Sequence, residues 1–181
     1  MKKNEKEIES DMAYMNLETF DIISQGEMYK NYKVVYQTTE SVVEENRDPE
    51  TGECLAYVMV DDMIAPLISL LNKKGYYTLW SCVGHSFLVD GELKSVTFPY
   101  ISFREDVDLS HVIFPEGWVL DRDGHSVYNR SVEYVCQNIV NGYDNVYLQI
   151  SEVNKYLVQE IYKFIVIVGA WKNNKGGIKN D

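Results

Sequence analysis

The sequence contains few cysteines, and they are widely spaced. Cys54, Cys82 and Cys136 are the three cysteines among 181 residues. Small secreted domains that depend on disulfide bonds carry a denser pattern of cysteines than this. The pattern excludes a disulfide framework and predicts free thiols.

The sequence also has no long apolar run. The longest, FIVIVGAW, covers Phe164–Trp171, whereas a helix that spans a bilayer needs about 20 apolar residues. The first ten residues, MKKNEKEIES, are polar and lack the apolar centre of a signal peptide. We therefore expect a cytoplasmic protein with no membrane segment.

Positive charge is scarce. The chain has 17 Lys and Arg against 28 Asp and Glu, which gives a net charge of −11. Such a surface repels the phosphates of nucleic acids at long range. The charge disfavours direct binding of nucleic acid and is compatible with a small molecule, a nucleotide or a basic protein as partner.

The apolar content is that of a folded protein, at 45% hydrophobic and 13% aromatic residues. Residues 1–25 are rich in Lys, Glu and Asn and predict a mobile N-terminal arm or a short surface helix. Residues 26–172 predict a single α+β domain. Residues 173–181, which include the lysine- and glycine-rich end of the chain, predict a disordered tail.

The clearest helix signal follows Asp61. We expect Asp61 and Asp62 to cap the helix, Pro66 to lie in its first turn and Gly75 to end it. The apolar positions recur at helical spacing. They are Met63, Ile64, Leu67, Ile68, Leu70 and Leu71.

Strand and turn patterns surround this helix. Residues 32–60 predict a hairpin, with Tyr32–Gln37 and Cys54–Val60 as its arms and a turn at Asn46–Glu53. Tyr76–Cys82 predicts a strand with Tyr76, Thr78, Trp80 and Cys82 on one face. Further turns are expected at Asp90-Gly91 and Asp121–Gly124. Ser95–Glu105 predicts a strand with an edge or bulge at Pro99.

Two helices are expected after these strands. Ser131 can cap a short helix that ends at Asn141-Gly142, and Ser151 can cap a long one. The β-branched segment Phe164–Trp171 fits either the end of the long helix or a strand. The fold class predicted from this order is α+β, with a mixed or antiparallel sheet and hairpins packed against about three helices.

The residues that could carry chemistry gather after the strand Tyr76–Cys82. A thiolate at Cys82 could act as a nucleophile, and His85 lies near enough in sequence to assist it as a catalytic partner. Gly84 allows a backbone to approach a ligand closely. The same residues also fit a strand end in which Cys82 packs and His85 caps a turn.

Metal binding is not expected. Cys82 and His85 could supply two ligands, with His111, His125 or Cys136 as others, but the sequence lacks a second closely spaced Cys/His pair. Aromatic side chains could stack a base, although strand aromatics also form cores. These are Tyr76, Tyr77, Trp80, Phe98, Tyr100, Phe103 and Trp118.

The segment PLISLLNKKGYYTLWSCVGHSF resembles a segment of uncharacterised bacterial and phage proteins. It is distantly similar to the wybutosine-synthesis methyltransferase family, whose loop reads Ser-Cys-Ser-Gly-Arg. Ser81, Cys82, Val83, Gly84 and His85 occupy the matching positions. VTFPYISFRE is similar to that family's strand with a Pro-aromatic-Ile core. The resemblance implies an α/β domain with an S-adenosylmethionine or nucleotide pocket beside the loop.

Two hypotheses of function follow. The first is a domain that binds a nucleotide or an S-adenosylmethionine-like ligand at Ser81–His85, with transferase activity left open. Ser81, Gly84, Tyr100 and Arg104 would bind the ligand, because the guanidinium of Arg104 offers a planar fork of donors to an anion. The second is an acidic phage-type inhibitor, anti-defence or anti-CRISPR-like, that docks on a basic nucleic-acid-binding host protein.

Overall fold

The computed structural model describes residues 32–36, 40–47, 51 and 54–174, and the predicted α+β class is confirmed there. The strands of these residues are β1 (Tyr32–Tyr36), β2 (Glu40–Arg47), β3 (Cys54–Asp61), β4 (Thr78–Cys82), β5 (His85–Val89), β6 (Glu92–Val96), β7 (Tyr100–Phe103), β8 (Trp118–Leu120) and β9 (Ser126–Asn129). The helices are α1 (Ala65–Lys73), α2 (Ser131–Gly142) and α3 (Val146–Ala170).

The described strands form three sheets, with the orders β1-β5-β6, β2-β3 and β4-β7-β9-β8. Every pairing among them is antiparallel, as expected of an α+β rather than an α/β fold. Because β1 pairs with β5, the predicted hairpin arm Tyr32–Gln37 is wrong. The partner of β3 is instead β2, which lies closer to it in sequence.

Contacts between Cα atoms divide the chain into two units. Of the residues described, the first unit comprises 32–36, Gly84–Phe98 and Ser131–Asn154, and the second comprises 40–47, 51, 54–83, Pro99–Arg130 and 155–174. The single domain predicted for residues 26–172 stays a prediction. The predicted arm (1–25) and nearly all of the predicted tail (175–181) lie outside the described residues.

The first unit has a small apolar core around the β5–β6 hairpin. Asp90 and Gly91 form its turn with φ angles of 51° and 83°, so the predicted two-residue turn is confirmed. Helix α2 lies against β6 and begins and ends as predicted. The buried apolar side chains of this unit are Phe87, Val89, Leu93, Val96, Val132, Cys136 and Val153.

Helix α1, in the second unit, ends as the sequence predicts. Gly75 has a φ of 85°, and the amide of Tyr76 donates to the carbonyl of Leu71 at 3.0 Å, which closes the last turn. The predicted acidic cap is wrong, because no side chain caps α1. The carboxylate of Asp61 accepts from the amide of Val83 at 2.8 Å, and that of Asp62 accepts from the hydroxyl of Ser41.

Helix α3 begins earlier than predicted. The amides of Tyr147 and Leu148 donate to Oδ1 of Asn145 at 2.9 and 3.2 Å, so Asn145 is the cap and Ser151 lies within the helix. The predicted cap at Ser151 is therefore wrong. The segment FIVIVGAW is helical as far as Ala170, and its residues Phe164 and Val168 are fully buried on one side of the helix.

That core is aromatic. The ring of Phe164 lies 4.7 Å from that of Trp118, 6.0 Å from that of Phe114 and 5.9 Å from that of Trp171, measured between centroids. Tyr76 extends the cluster, with its ring 5.0 Å from that of Trp171. The Phe164–Trp118 contact is tilted and the others are edge-to-face, and such ring contacts add to the stabilisation that burial provides.

Candidate ligand-binding face

The predicted site residues are divided between the two units. Ser81 and Cys82 end β4, and they belong with Tyr100 and Arg104 to the second unit. Gly84 and His85 belong to the first unit, in which His85 begins β5.

Gly84 packs closely against the backbone of Thr97. Its φ is 99°, and a Cβ at this position would overlap the carbonyl oxygen of Thr97. Two hydrogen bonds fix the neighbouring residue: the amide of His85 donates to Oγ1 of Thr97 at 2.6 Å, and the amide of Thr97 donates to the carbonyl of His85 at 2.9 Å. The close approach to Thr97 accounts for the glycine without a ligand.

A bulge in β4 decides which side chains of that strand are exposed. Thr78 lies opposite Phe103 and Trp80 lies opposite Ser102, so the register shifts by one residue at Leu79. Thr78 is buried, whereas Trp80 is 63% exposed. The predicted alternation with Trp80 on the face of Tyr76 and Thr78 is therefore wrong, and the bulge is its cause.

The sheet β4-β7-β9-β8 has two faces of different character. The core face carries the buried side chains of Ile101, Phe103, Trp118, Val127 and Asn129. The register places the remaining strand positions on the other side, which we name the open face. Its residues are Trp80, Cys82, Tyr100, Ser102, Val119, Ser126 and Tyr128.

The open face combines aromatic rings with hydroxyls. Cys82 lies opposite Tyr100, which lies opposite Tyr128, so both predicted residues belong to one cross-strand row. Neighbouring rows are about 7 Å apart and neighbouring strands about 5 Å. The next row holds Ser102 and Ser126, whose hydroxyls are hydrogen-bonded at 2.8 Å. Ser81 lies opposite Ile101, which places it on the core side.

The two arginines near this sheet differ in what they contact. The guanidinium of Arg104 donates to both carboxylate oxygens of Asp106, at 3.0 and 2.7 Å, so this predicted anion-binding group already holds an anion. The guanidinium of Arg130 lies 5.0 Å from the ring centroid of Tyr128 and donates to its hydroxyl at 3.0 Å. No carboxylate of the described residues forms an ion pair with Arg130.

Sequence reasoning missed Tyr128 and Arg130. The alternation in HSVYNR, with Ser126 and Tyr128 flanking the apolar Val127, was a usable signal. Trp80 is one of the aromatic residues that could stack a base, but the bulge that exposes it leaves no clear pattern in the sequence.

The described histidines and cysteines do not form a metal site. No group of three or more His, Cys, Asp or Glu side chains in this part of the chain could hold an ion. His111 instead contacts Tyr76, with its Nε2 3.2 Å from the tyrosine hydroxyl. Burial, and then the negative charge of Asp108, raises the pKa of Tyr76 above its ordinary value.

Comparison with known proteins gives no further guide to the site. No protein family, no curated protein and no solved structure matches the chain. Within the described residues, no helix has the length and apolar character needed to cross a membrane.

Proposed function

We propose that this chain binds a planar, nucleotide-like ligand on the open face. The observation that carries the proposal is the exposure of Trp80, at 63%, on the same face as Tyr100 and Tyr128. An indole ring presents a large apolar surface that a monomer leaves in water at a cost in free energy. A stacked base removes that surface from water.

The chemistry of the face suits a nucleotide. Stacking of a base on an aromatic side chain is worth about 1–3 kcal/mol, and the strand spacing places two rings within reach of one ligand. Because one hydroxyl of the Ser102–Ser126 pair donates to the other, the pair keeps one O–H donor and its acceptor lone pairs for a ligand. Arg130 supplies a cation for a phosphate or a carboxylate.

The charge of the chain favours a small ligand over a polymer. A net charge of −11 repels the many phosphates of a nucleic acid. A mononucleotide carries only a few phosphate charges, which a nearby cation such as Arg130 can offset. Adenine nucleotides and S-adenosylmethionine share the purine ring that this face would hold. The roles predicted for Cys82 and His85 in a transferase reaction belong to the same proposal, and we derive no step for them.

Tryptophan fluorescence tests the proposal at a single residue. The chain has three tryptophans, and Trp118 and Trp171 are only 5% and 9% exposed. Quenching by a stacked base therefore reports on Trp80. Titration with AMP, ATP, GMP and S-adenosylmethionine should quench the emission of the wild-type protein and raise its melting temperature for the ligand that binds.

Variants test whether the quenching and the change in melting temperature come from binding at the open face. Trp80→Ser should abolish both responses, and Arg130→Ala should weaken binding of the phosphate-bearing probes about tenfold, which corresponds to 1.4 kcal/mol. Tyr162→Ala, which removes an aromatic side chain that is 66% exposed on α3, is the matched control and should leave both responses unchanged. If no probe changes the emission or the melting temperature of the wild type, the proposal is wrong.

A further inference from the structure

A second surface, different from the open face, lies on the β2–β3 hairpin. Alternate residues of the two strands face one side, and their register pairs Glu40 with Asp61, Val42 with Met59 and Glu44 with Tyr57. We name this side the hairpin face. The nucleotide-binding proposal does not involve it.

The centre of the hairpin face is apolar and exposed. Val42 is 63% exposed, Tyr57 64% and Met59 61%. The other side of the hairpin belongs to the core: Val60 is 6% exposed, helix α1 packs against β2, and Nδ2 of Asn72 donates to the carbonyl of Glu44 at 2.9 Å. The hairpin therefore leaves one of its two apolar sides in water, as interaction surfaces do.

The charges at its ends have one sign. Glu40 and Asp61 lie directly opposite each other, an arrangement that destabilises an antiparallel pair. Glu44 adds a third carboxylate at the other end of the face, beyond the Val42–Met59 row. Residues 40–44 and 57–61 contain no Lys, Arg or His. One oxygen of Asp61 accepts a hydrogen bond from the amide of Val83 at 2.8 Å, which offsets only part of the repulsion.

The negative charges of the hairpin face indicate which class of partner it can bind. A second copy of the chain would bring one set of carboxylates against another, and nucleic acids or anionic membranes would be repelled in the same way. A protein surface with Lys or Arg around an apolar centre would neutralise the carboxylates and cover Val42 and Met59 together. We infer that the hairpin face docks a basic protein surface, the partner class expected of the acidic-inhibitor hypothesis.

Synthetic peptides provide a defined probe. A labelled peptide of alternating Lys and Leu presents positive charge and apolar surface together, a Lys/Ser peptide keeps only the charge, and a Glu/Leu peptide reverses it. Fluorescence anisotropy should detect binding of the Lys/Leu peptide, weaker binding of the Lys/Ser peptide and none of the Glu/Leu peptide. Raising the salt from low concentration to about 0.5 M should weaken the interaction.

Two variants separate the apolar from the electrostatic contribution to the affinity for the Lys/Leu peptide. V42S/M59S should reduce the affinity for the Lys/Leu peptide about tenfold or more at every salt concentration. Glu40→Lys should reduce it at low salt and flatten the salt dependence. The same Glu40→Lys change should raise the melting temperature of the free protein, because it replaces a like-charge cross-strand pair by an opposite-charge one.

Matched controls lie on other surfaces. V158S/V166S alters two valines of α3 that are 50% and 56% exposed, and Glu105→Lys reverses an exposed charge in the loop after β7. Neither should change binding. Circular dichroism checks that each variant is folded, and hydrogen exchange should slow in residues 40–47 and 54–61 when the peptide binds, even if one variant is unstable.

Three results would overturn the inference. The Glu/Leu peptide could bind as tightly as the Lys/Leu peptide, which contradicts the charge argument. The V42S/M59S and V158S/V166S variants could lose equal affinity, which contradicts the location. Sedimentation could detect a wild-type dimer that V42S/M59S abolishes, which would make the hairpin face an interface between copies. Titration of the protein with nucleotides, followed by Trp80 fluorescence, tests the open face separately. Either proposal can therefore fail without affecting the test of the other.

Discussion

The two faces of the sheet β4-β7-β9-β8 come from the same strands, yet they differ in what their side chains contact. On the core face, Asn129 is fully buried and its Nδ2 donates to the carboxylate of Glu160 at 3.1 Å. On the open face, Trp80 and Val119 are 63% and 44% exposed. The comparison indicates that the core face carries the stabilising contacts, whereas the open face leaves much of the Trp80 indole in water. Substitutions on the two faces should therefore differ in their effect on stability.

The largest loss of stability is expected from Phe164→Ala. This ring is fully buried between Trp118, Phe114 and Trp171, so its removal leaves a cavity and should lower the free energy of unfolding by about 3–5 kcal/mol. Urea denaturation followed by circular dichroism measures the change. Tyr162→Ala, on the exposed side of the same helix, should stay within about 0.5 kcal/mol of the wild type. Similar losses for both variants would contradict the assignment of the core.

A smaller loss is expected from Glu160→Ala. Glu160 is 3% exposed, and its carboxylate accepts from Asn129 and from Nζ of Lys163, the latter at 2.6 Å. Removing this acceptor from a buried partner should cost about 1–3 kcal/mol in the same assay. Glu160→Gln retains an acceptor for Asn129 and should cost less. An equal cost for both variants would indicate that Asn129 gains little from this bond.

Tyr76→Phe should change how stability depends on pH. The hydroxyl of Tyr76 donates to the carbonyl of Lys172 at 3.0 Å, and its loss should cost about 1 kcal/mol at neutral pH. Because the folded pKa of Tyr76 is raised, its contribution is present below its ordinary value of about 10. The contribution is lost as pH rises through the folded pKa.

The free energy of unfolding should therefore fall less steeply above about pH 10 in Tyr76→Phe than in the wild type. The pKa of Lys163 is raised by its hydrogen bond to Glu160, so this group produces a loss of the same sign in both proteins. Urea titrations from neutral to alkaline pH measure the two slopes. Equal slopes would show that Tyr76 does not titrate differently in the folded and unfolded states.

The smallest change of stability is expected from Trp80→Ser. Its indole is mostly exposed, so the free energy of unfolding should change by no more than about 0.5 kcal/mol, although the response to nucleotides should disappear. A loss comparable with that of Phe164→Ala would mean that the open face is part of the core. The comparison between the two faces would then fail.

Local chemistry explains which parts of this fold could be predicted. Gly75 and the Asp90-Gly91 turn were identified from the sequence because each needs a left-handed backbone that few residues adopt. The start and end of α2 were identified for similarly local reasons. The hairpin partner of β3 was misassigned, because pairing depends on non-local contacts and two β-like segments precede the turn.

The candidate site was harder to predict, for the same physical reason. Cys82 and Tyr100 were selected separately, and only the register of β4 and β7 places them opposite each other. The bulge at Leu79 turns Trp80 away from the core. A bulge adds only one residue to a strand and does not alter its residue types, so the sequence does not reveal it. Asp61 accepts a hydrogen bond from the amide of Val83, which is 22 residues away in sequence, and the local capping pattern does not reveal such a contact.

The contact between Tyr76 and Trp171 has a consequence for the order of folding. About half of the chain lies between these two residues in sequence. Closing so long a loop costs more conformational entropy than closing a hairpin. The β5–β6 and β8–β9 hairpins can form within microseconds from neighbouring residues. Because this contact joins residues far apart in sequence, we expect the aromatic core to assemble after these hairpins.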